Sequence, residues 1–176
     1  GLPNFAVAIG IEVDGVAVAG VIHQPATAET FSAIAGHGAF LNDDRVRVTG
    51  APDLATALVG TGFSYAPDRR ARHGAVVAQV LPAVRDIRRL GSAALDLCAV
   101  ACGRLDAYFE RHLGPWDLCA GAVIAAEAGA WVGGFDGGPP VPEGVIAAAP
   151  HLAPALLGLI VAAESTLPPE SGVESG

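Results

Sequence analysis

Glu110 and Asp117 are the residues whose types and placement point to chemistry. Glu110 ends the run Arg104-Leu105-Asp106-Ala107-Tyr108-Phe109-Glu110, which reads as a strand with a carboxylate at its C-terminal end. Asp117 falls in the first turn of a helix that opens at Gly114-Pro115-Trp116. Ligands of open α/β sheets bind outside the carboxyl ends of strands, and the next helix begins in the same crevice. Both carboxylates are therefore expected to look into one cleft. Such a pair suits a hard cation, a polyol substrate or acid–base catalysis. Asp117 also has an ordinary reading, as a first-turn acid stabilised by free N–H groups and the helix dipole.

The elements around this pair can be read from pattern. Pro115 is pre-organised for a first helical turn. Trp116, Ala120, Val123 and Ile124 recur at helical spacing, Gly129 can cap the helix, and a strand follows from Trp131. Upstream, Asp86–Leu90 reads as a strand, Gly91-Ser92 as a turn, and Ala93–Ala101 as a helix closed by Gly103. Ser92 is a natural N-cap, and that helix start offers free N–H groups at the same sheet edge. Arg88 and Arg89 can meet a phosphate there or pair on the surface.

Ala57–Thr61 is expected as a short buried strand before Gly60-Thr61-Gly62-Phe63. Those glycines lack both the Walker and the dinucleotide patterns, so they read as a turn. Asp68 caps a helix to about Val80, with Arg69, Arg70 and Arg72 on its wet side and His73 carrying no site signal. Residues 3–50 read as an antiparallel meander: Phe5–Val13 and Val16–His23 around the Asp14-Gly15 hairpin signal, then Thr30–Ala35, Ala39–Leu41 and Val46–Thr49. His23 and His37 sit at a sheet end and a turn without patterned partners, so neither reads as a ligand.

Near the end, Gly144–Ala149 is expected as a strand and Leu152–Ala163 as a helix. Pro150, His151 and Pro154 argue against a membrane span through this apolar stretch. The fold class is therefore α/β, with an antiparallel sheet over residues 1–50, a mainly parallel α/β half over 51–163, and a disordered tail over 164–176.

The net charge of −8, with ten arginines and no lysine against eighteen acids, argues against nucleic acid or anionic membrane as partner. A divalent cation remains compatible. Cys98, Cys102 and Cys119 form no disulfide framework and lack zinc spacing, which suggests a reducing, cytoplasmic setting. The chain contains no Met, which points to processing or truncation upstream.

Three blocks, Gly91-Ser92-Ala93-Ala94-Leu95-Asp96-Leu97-Cys98, Gly103–Glu110, and Trp116-Asp117 through Gly129, resemble the C-terminal signature of the inositol monophosphatase family. The opening run Gly1–Gly10 is similar to the segment that follows that family's Asp-Pro-x-Asp-Gly-Thr metal motif. Neither that motif nor an upstream Glu-Glu pair occurs here. The resemblance implies a layered α-β-α-β-α sandwich, usually homodimeric, and a Mg²⁺-dependent phosphomonoesterase. In such enzymes metal-bound water attacks the phosphate of inositol 1-phosphate or a related sugar phosphate.

It also implies that Asp117 ligates a metal and touches a substrate hydroxyl. Glu110 accepts hydrogen bonds from substrate hydroxyls, and Gly91, Ser92 and Ala93 line the substrate pocket. No further catalytic residue is expected in this chain. Fructose 1,6-bisphosphate and histidinol phosphate are alternative substrates, and a noncatalytic binding or dimerisation module is an alternative role. With most metal ligands missing, the chain alone is expected to be inactive, and its antiparallel sheet to have one apolar face uncovered.

Overall fold

The computed structural model describes residues 3–168. Its first half is a five-stranded antiparallel meander, β1 (Val7–Val13), β2 (Val16–Gln24), β3 (Glu29–Ile34), β4 (Gly38–Leu41) and β5 (Asp44–Val46). The β1–β2 hairpin turns at Asp14 and Gly15, which take φ of 51° and 77°. Two left-handed residues in a two-residue loop match the twist of the flanking strands, as the Asp-Gly pair predicts. β5 begins and ends earlier than the expected Val46–Thr49. Asn42 adopts φ 54° and its side-chain oxygen accepts from the Thr30 N–H at 3.0 Å, so the turn is tight and Asp44 already pairs with Leu41.

The second half builds β6 (Leu58–Thr61), α1 (Pro67–Val80), β7 (Asp86–Arg88), α2 (Ala93–Ala101), β8 (Ala107–Glu110), α3 (Pro115–Glu127), β9 (Trp131–Gly133), β10 (Val145–Ala148) and α4 (Ala153–Ser165). Its sheet order is β7-β6-β8-β10-β9. β6 runs parallel to β7 and β8, whereas β10 is antiparallel to both β8 and β9. The sheet is thus mixed rather than mainly parallel. No helix intervenes between β9 and β10, so that connection returns the chain antiparallel.

Several boundaries also move for local reasons. β8 starts at Ala107, not Arg104, because the Asp106 carboxylate is engaged in accepting from Leu58 N–H at 2.7 Å and Ala51 N–H at 3.0 Å. Arg104 instead pairs with Glu29 across the two sheets. Pro67 occupies the start of α1 with Ala66 as its cap, leaving Asp68 in the first turn rather than at the cap. α4 runs on through Ser165 because Glu164, expected in a tail, pairs with Arg72 at 2.6 Å and Arg111 at 3.1 Å. That places Arg72 in an interhelical contact instead of on a wet face. Residues 169–176 of the expected tail lie outside the described residues.

Side-chain alternation assigns the layers. In β8, Ala107 and Phe109 join Val76, Val80, Leu156 and Ile160 of α1 and α4, while Tyr108 joins Leu97, Leu118 and Ala125 of α2 and α3. In β10, Ile146 and Ala148 face the first group and Val145 and Ala147 the second. Strand period two makes each sheet residue choose one side, so the second sheet is buried on both faces. The far side of α2 and α3 packs on Ile22, Phe31, Ala33 and Ala39 of the meander. The described layers are therefore sheet, helix pair, sheet, helix pair.

α3 approaches the meander closely at two facing glycines, Gly10 and Gly20, which are cross-strand partners. A Cβ on Gly20 would lie 2.7 Å from the Ala120 carbonyl oxygen, and one on Gly10 would overlap the Cys119 sulfur. At its other end α3 is pinned by Glu127, whose carboxylate accepts the Gly36 and Gly38 N–H groups at 2.8 and 2.7 Å.

The outer face of the meander has no covering layer among the described residues. Val7, Ile9, Ile11, Val21 and Ile34 stand exposed on it. Water contact with a contiguous apolar surface favours association. Residues 1–176 alone are expected to self-associate, and Ile9→Thr with Ile11→Thr to weaken this. Sedimentation over a concentration series reads the outcome; a monomer at every concentration contradicts it.

Candidate active site

The carboxyl ends of β6, β7 and β8 open onto one cleft of about 390 Å³, and the residues expected there by sequence converge on it. Its lining includes Gly91, Ser92, Ala93, Glu110 and Asp117. Parallel neighbours end on the same side of a sheet, and the helices that follow them start there.

Glu110 is the last residue of β8 and shares the α2/α3 side with Tyr108, whose hydroxyl donates to Glu110 Oε2 at 2.5 Å. On its other side the carboxylate presses against Gly62, where any Cβ would overlap it. The turn glycine is therefore a requirement of the site. Burial pushes the Glu110 carboxyl above its ordinary range and nearby Asp117 adds to this, against the Tyr108 hydrogen bond and the Arg89 charge.

Asp117 holds the head of α3. Its Oδ2 accepts the Gly114 N–H at 2.8 Å, and its own N–H donates to the Gly114 carbonyl at 3.0 Å. One carboxylate oxygen thus serves as a cap and the other stays outside that bond. Asp117 therefore caps the helix while standing in the cleft wall. Trp116 departs from its expected place in the apolar stripe: it is 77% exposed and folds its indole back over the Gly114 Cα.

Ser92 caps α2, its hydroxyl accepting from Leu95 N–H at 3.5 Å. Gly91 before it takes φ 97°, a conformation that favours glycine, and lies beneath the Arg89 guanidinium. Arg88 is bound on the surface to Asp86, whereas Arg89 lines the cleft. Surface pairing thus describes Arg88, while Arg89 stands in the cleft wall.

Sequence reasoning did not place Asn4, Phe63, Ser64, Tyr65 or His112 here, yet all line the cleft. Asn4 reaches it because its amide donates to the Leu90 carbonyl at 2.6 Å. Tyr65, 94% exposed, stands on a loop whose carbonyls at Ser64 and Tyr65 accept from Arg70. The proximity of Gly62 to Pro67 was the only signal of that loop. His23 bonds Thr30 at 2.9 Å and His37 approaches the Ala35 carbonyl at 3.0 Å; neither lines the cleft. Cys98, Cys102 and Cys119 are free thiols.

Beneath the cleft floor, His73 is buried between Phe63 and Phe109 and joins α1 to β6. The Thr61 hydroxyl donates to the Phe109 carbonyl at 2.8 Å, so it accepts from His73 Nε2–H at 2.9 Å. Burial, helped by the positive charge of Arg111, pulls the imidazole down to about 4 from its ordinary 6.5. A depressed folded value contributes stability above pH 6.5 that is lost as the pH falls towards 4. Between pH 7 and 4.5 wild type should lose on the order of 2 kcal/mol relative to His73→Gln. Urea unfolding of both at each pH checks this; parallel curves contradict it.

Among the described residues no group of three or more His, Cys, Asp or Glu side chains can hold a metal ion. Mg²⁺ requires near-octahedral oxygen ligation, so these residues alone do not fit it. No helix among them is long and apolar enough to cross a membrane.

A cleft at the parallel strand ends, with a helix start and two carboxylates on its walls, is where an α/β sheet of this kind binds a polar small molecule. The solved structure of Mycobacterium tuberculosis SuhB superposes with a TM-score of 0.84 at 47% identity, covering 92% of this chain and 65% of that one. The family model described as the inositol monophosphatase family matches residues 1–165. The chain belongs to the inositol monophosphatase family. It is 48% identical over 169 residues to an inositol-1-monophosphatase of Mycobacterium leprae, spanning 91% of this chain and 57% of that protein. It is 42% identical over 163 residues to the Nus factor SuhB of Pasteurella multocida, covering 91% of this chain and 61% of the relative. The chain thus spans less than two thirds of the length of either relative.

Proposed function

We propose that this chain forms part of a Mg²⁺-dependent phosphomonoesterase acting on inositol 1-phosphate or a related sugar phosphate. The observation that carries the reading is the convergence of Glu110, Asp117 and the start of α2 on one cleft, in a chain of this family. Glu110 accepts hydroxyls of the substrate, and its Tyr108 bond fixes the carboxylate orientation. Gly91, Ser92 and Ala93 line the pocket and offer helix N–H groups to the anionic end. Asp117 supplies one carboxylate to the cation and touches a hydroxyl. The remaining metal ligands are not among the described residues, and residues 1–176 alone should show no turnover.

The reading extends to a homodimer in the cytoplasm when the protein is complete. Fructose 1,6-bisphosphate and histidinol phosphate remain substrates to be compared. A binding role is the second reading: one relative is named a Nus factor, and the apolar outer face of the meander is available for contact.

The test is a phosphate-release assay on inositol 1-phosphate, with Mg²⁺ and with EDTA. One sample is residues 1–176. The other carries the same residues behind the N-terminal part of the M. tuberculosis relative. Only the second should turn over, and only with metal. Metal-dependent turnover by residues 1–176 alone would show that the site is misplaced, and inactivity of both would favour the binding role.

A further inference from the structure

Asp96 is the unexplained polar residue of the core. It lies on α2 with no exposed surface, and both carboxyl oxygens lack a hydrogen-bond partner among the described residues. A first-turn acid ordinarily faces water; this one faces the second sheet. Its Oδ1 lies 3.7 Å from the place where a Gly60 Cβ would stand, and the Tyr108 ring lies 3.3 Å from the same point. The bare backbone of Gly60 makes room first for Leu105, whose Cδ1 lies 2.6 Å from that point, and Asp96 and the Tyr108 ring stand around the same spot. Tyr108 in turn donates its hydroxyl to Glu110.

We propose that Asp96 is a positioning residue for Glu110: its fully buried, unpartnered carboxyl stands behind Tyr108 and supports the Tyr108–Glu110 pair from the core side. This rests on the reading of Glu110 as the acceptor of substrate hydroxyls. An unpaired buried charge is far more costly than a neutral acid. The ionisable groups that face this region are Glu110 and Tyr108 on β8, Arg89 from the β7–α2 turn and Cys98 on α2 itself, with Asp117 on α3 bearing on Tyr108 and Glu110. Burial first, and Glu110 second, push the Asp96 carboxyl up to about 8 against the pull of Arg89. A neutral Asp96 offers a donor beside two groups that have only one donated proton between them. Its role is exerted through Glu110, not on the reacting atoms.

Stability gives the sign. The folded value is raised above the ordinary 3.8, so the stability it contributes is present below about pH 4 and lost as the pH rises to about 8. Asp96→Asn should gain on wild type across that window and stay level above it.

The direct test is carbon-13 NMR of Asp-labelled protein, with the Asp96 carboxyl assigned by its disappearance in Asp96→Asn. The expected signal is a neutral acid at pH 7 that titrates near 8. An ionised Asp96 at pH 7 overturns the proposal. In the form that turns over, Asp96→Asn should keep KM for inositol 1-phosphate, while Asp96→Ala raises it about tenfold. Phenyl phosphate, which has no hydroxyls for Glu110, should be little affected. Equal losses on both substrates, or an Asn variant as poor as Ala, would make Asp96 merely structural. If no form releases phosphate, the functional reading fails while the carboxyl resonance still decides the state of Asp96.

Discussion

Asp117→Asn should lower the rate of phosphate release by about 10²-fold or more in the form that carries the remaining metal ligands. The substitution keeps the shape of the side chain and its acceptor oxygen, so the Gly114 cap can persist. What it removes is the negative charge at the cleft. One pre-organised electrostatic contact to a transition state is worth about 3 kcal/mol, which sets the expected size. Glu110→Gln should act differently, mainly on KM and on the choice among polyol phosphates, because the proposed function has it bind hydroxyls rather than metal. Steady-state kinetics with inositol 1-phosphate over a Mg²⁺ series separates the two. An Asp117→Asn enzyme at wild-type rate would leave Asp117 with capping alone.

Gly20→Val should destabilise the fold by about 3 kcal/mol or more. Its Cβ would stand 2.7 Å from the Ala120 carbonyl and 2.8 Å from the Ala120 Cα. Those are backbone atoms of α3, and they cannot swing away as a side-chain end can. The helix must lift from the meander, which would disturb the start of α3 and Asp117 with it. Gly74 in α1 and Gly158 in α4 provide the contrast, since a Cβ at either meets nothing within 4 Å. Ala at those positions should stabilise by about 0.5–1 kcal/mol through helix propensity. Denaturant midpoints of the three variants give the comparison, and a Gly20→Val midpoint near wild type would refute the close-packing argument.

Local chemistry made part of this legible in sequence. Asp14-Gly15 specified a hairpin because both residues tolerate left-handed φ, and Ser92 and Pro115 marked helix starts by capping and ring geometry. Those signals sufficed to bring Glu110, Asp117 and Ser92 to one edge. What was not legible depended on contacts between distant segments. Asp106 reads as strand until its bonds to Leu58 and Ala51 are seen. Asn4 and Tyr65 reach the cleft through the Leu90 carbonyl and the Arg70 guanidinium, neither of which pattern reveals. The antiparallel insertion of β10 is set by the connection from β9, and Asp96 looks like any first-turn acid until its burial is known.

The most direct measurement of the central claim is a crystal structure of the active form with inositol 1-phosphate and Mn²⁺ in place of Mg²⁺. An anomalous peak should lie against the Asp117 carboxylate, with the substrate hydroxyls on Glu110 and its ring over Gly91, Ser92 and Ala93. Manganese or substrate bound away from this cleft, with Asp117 and Glu110 touching neither, would contradict the account.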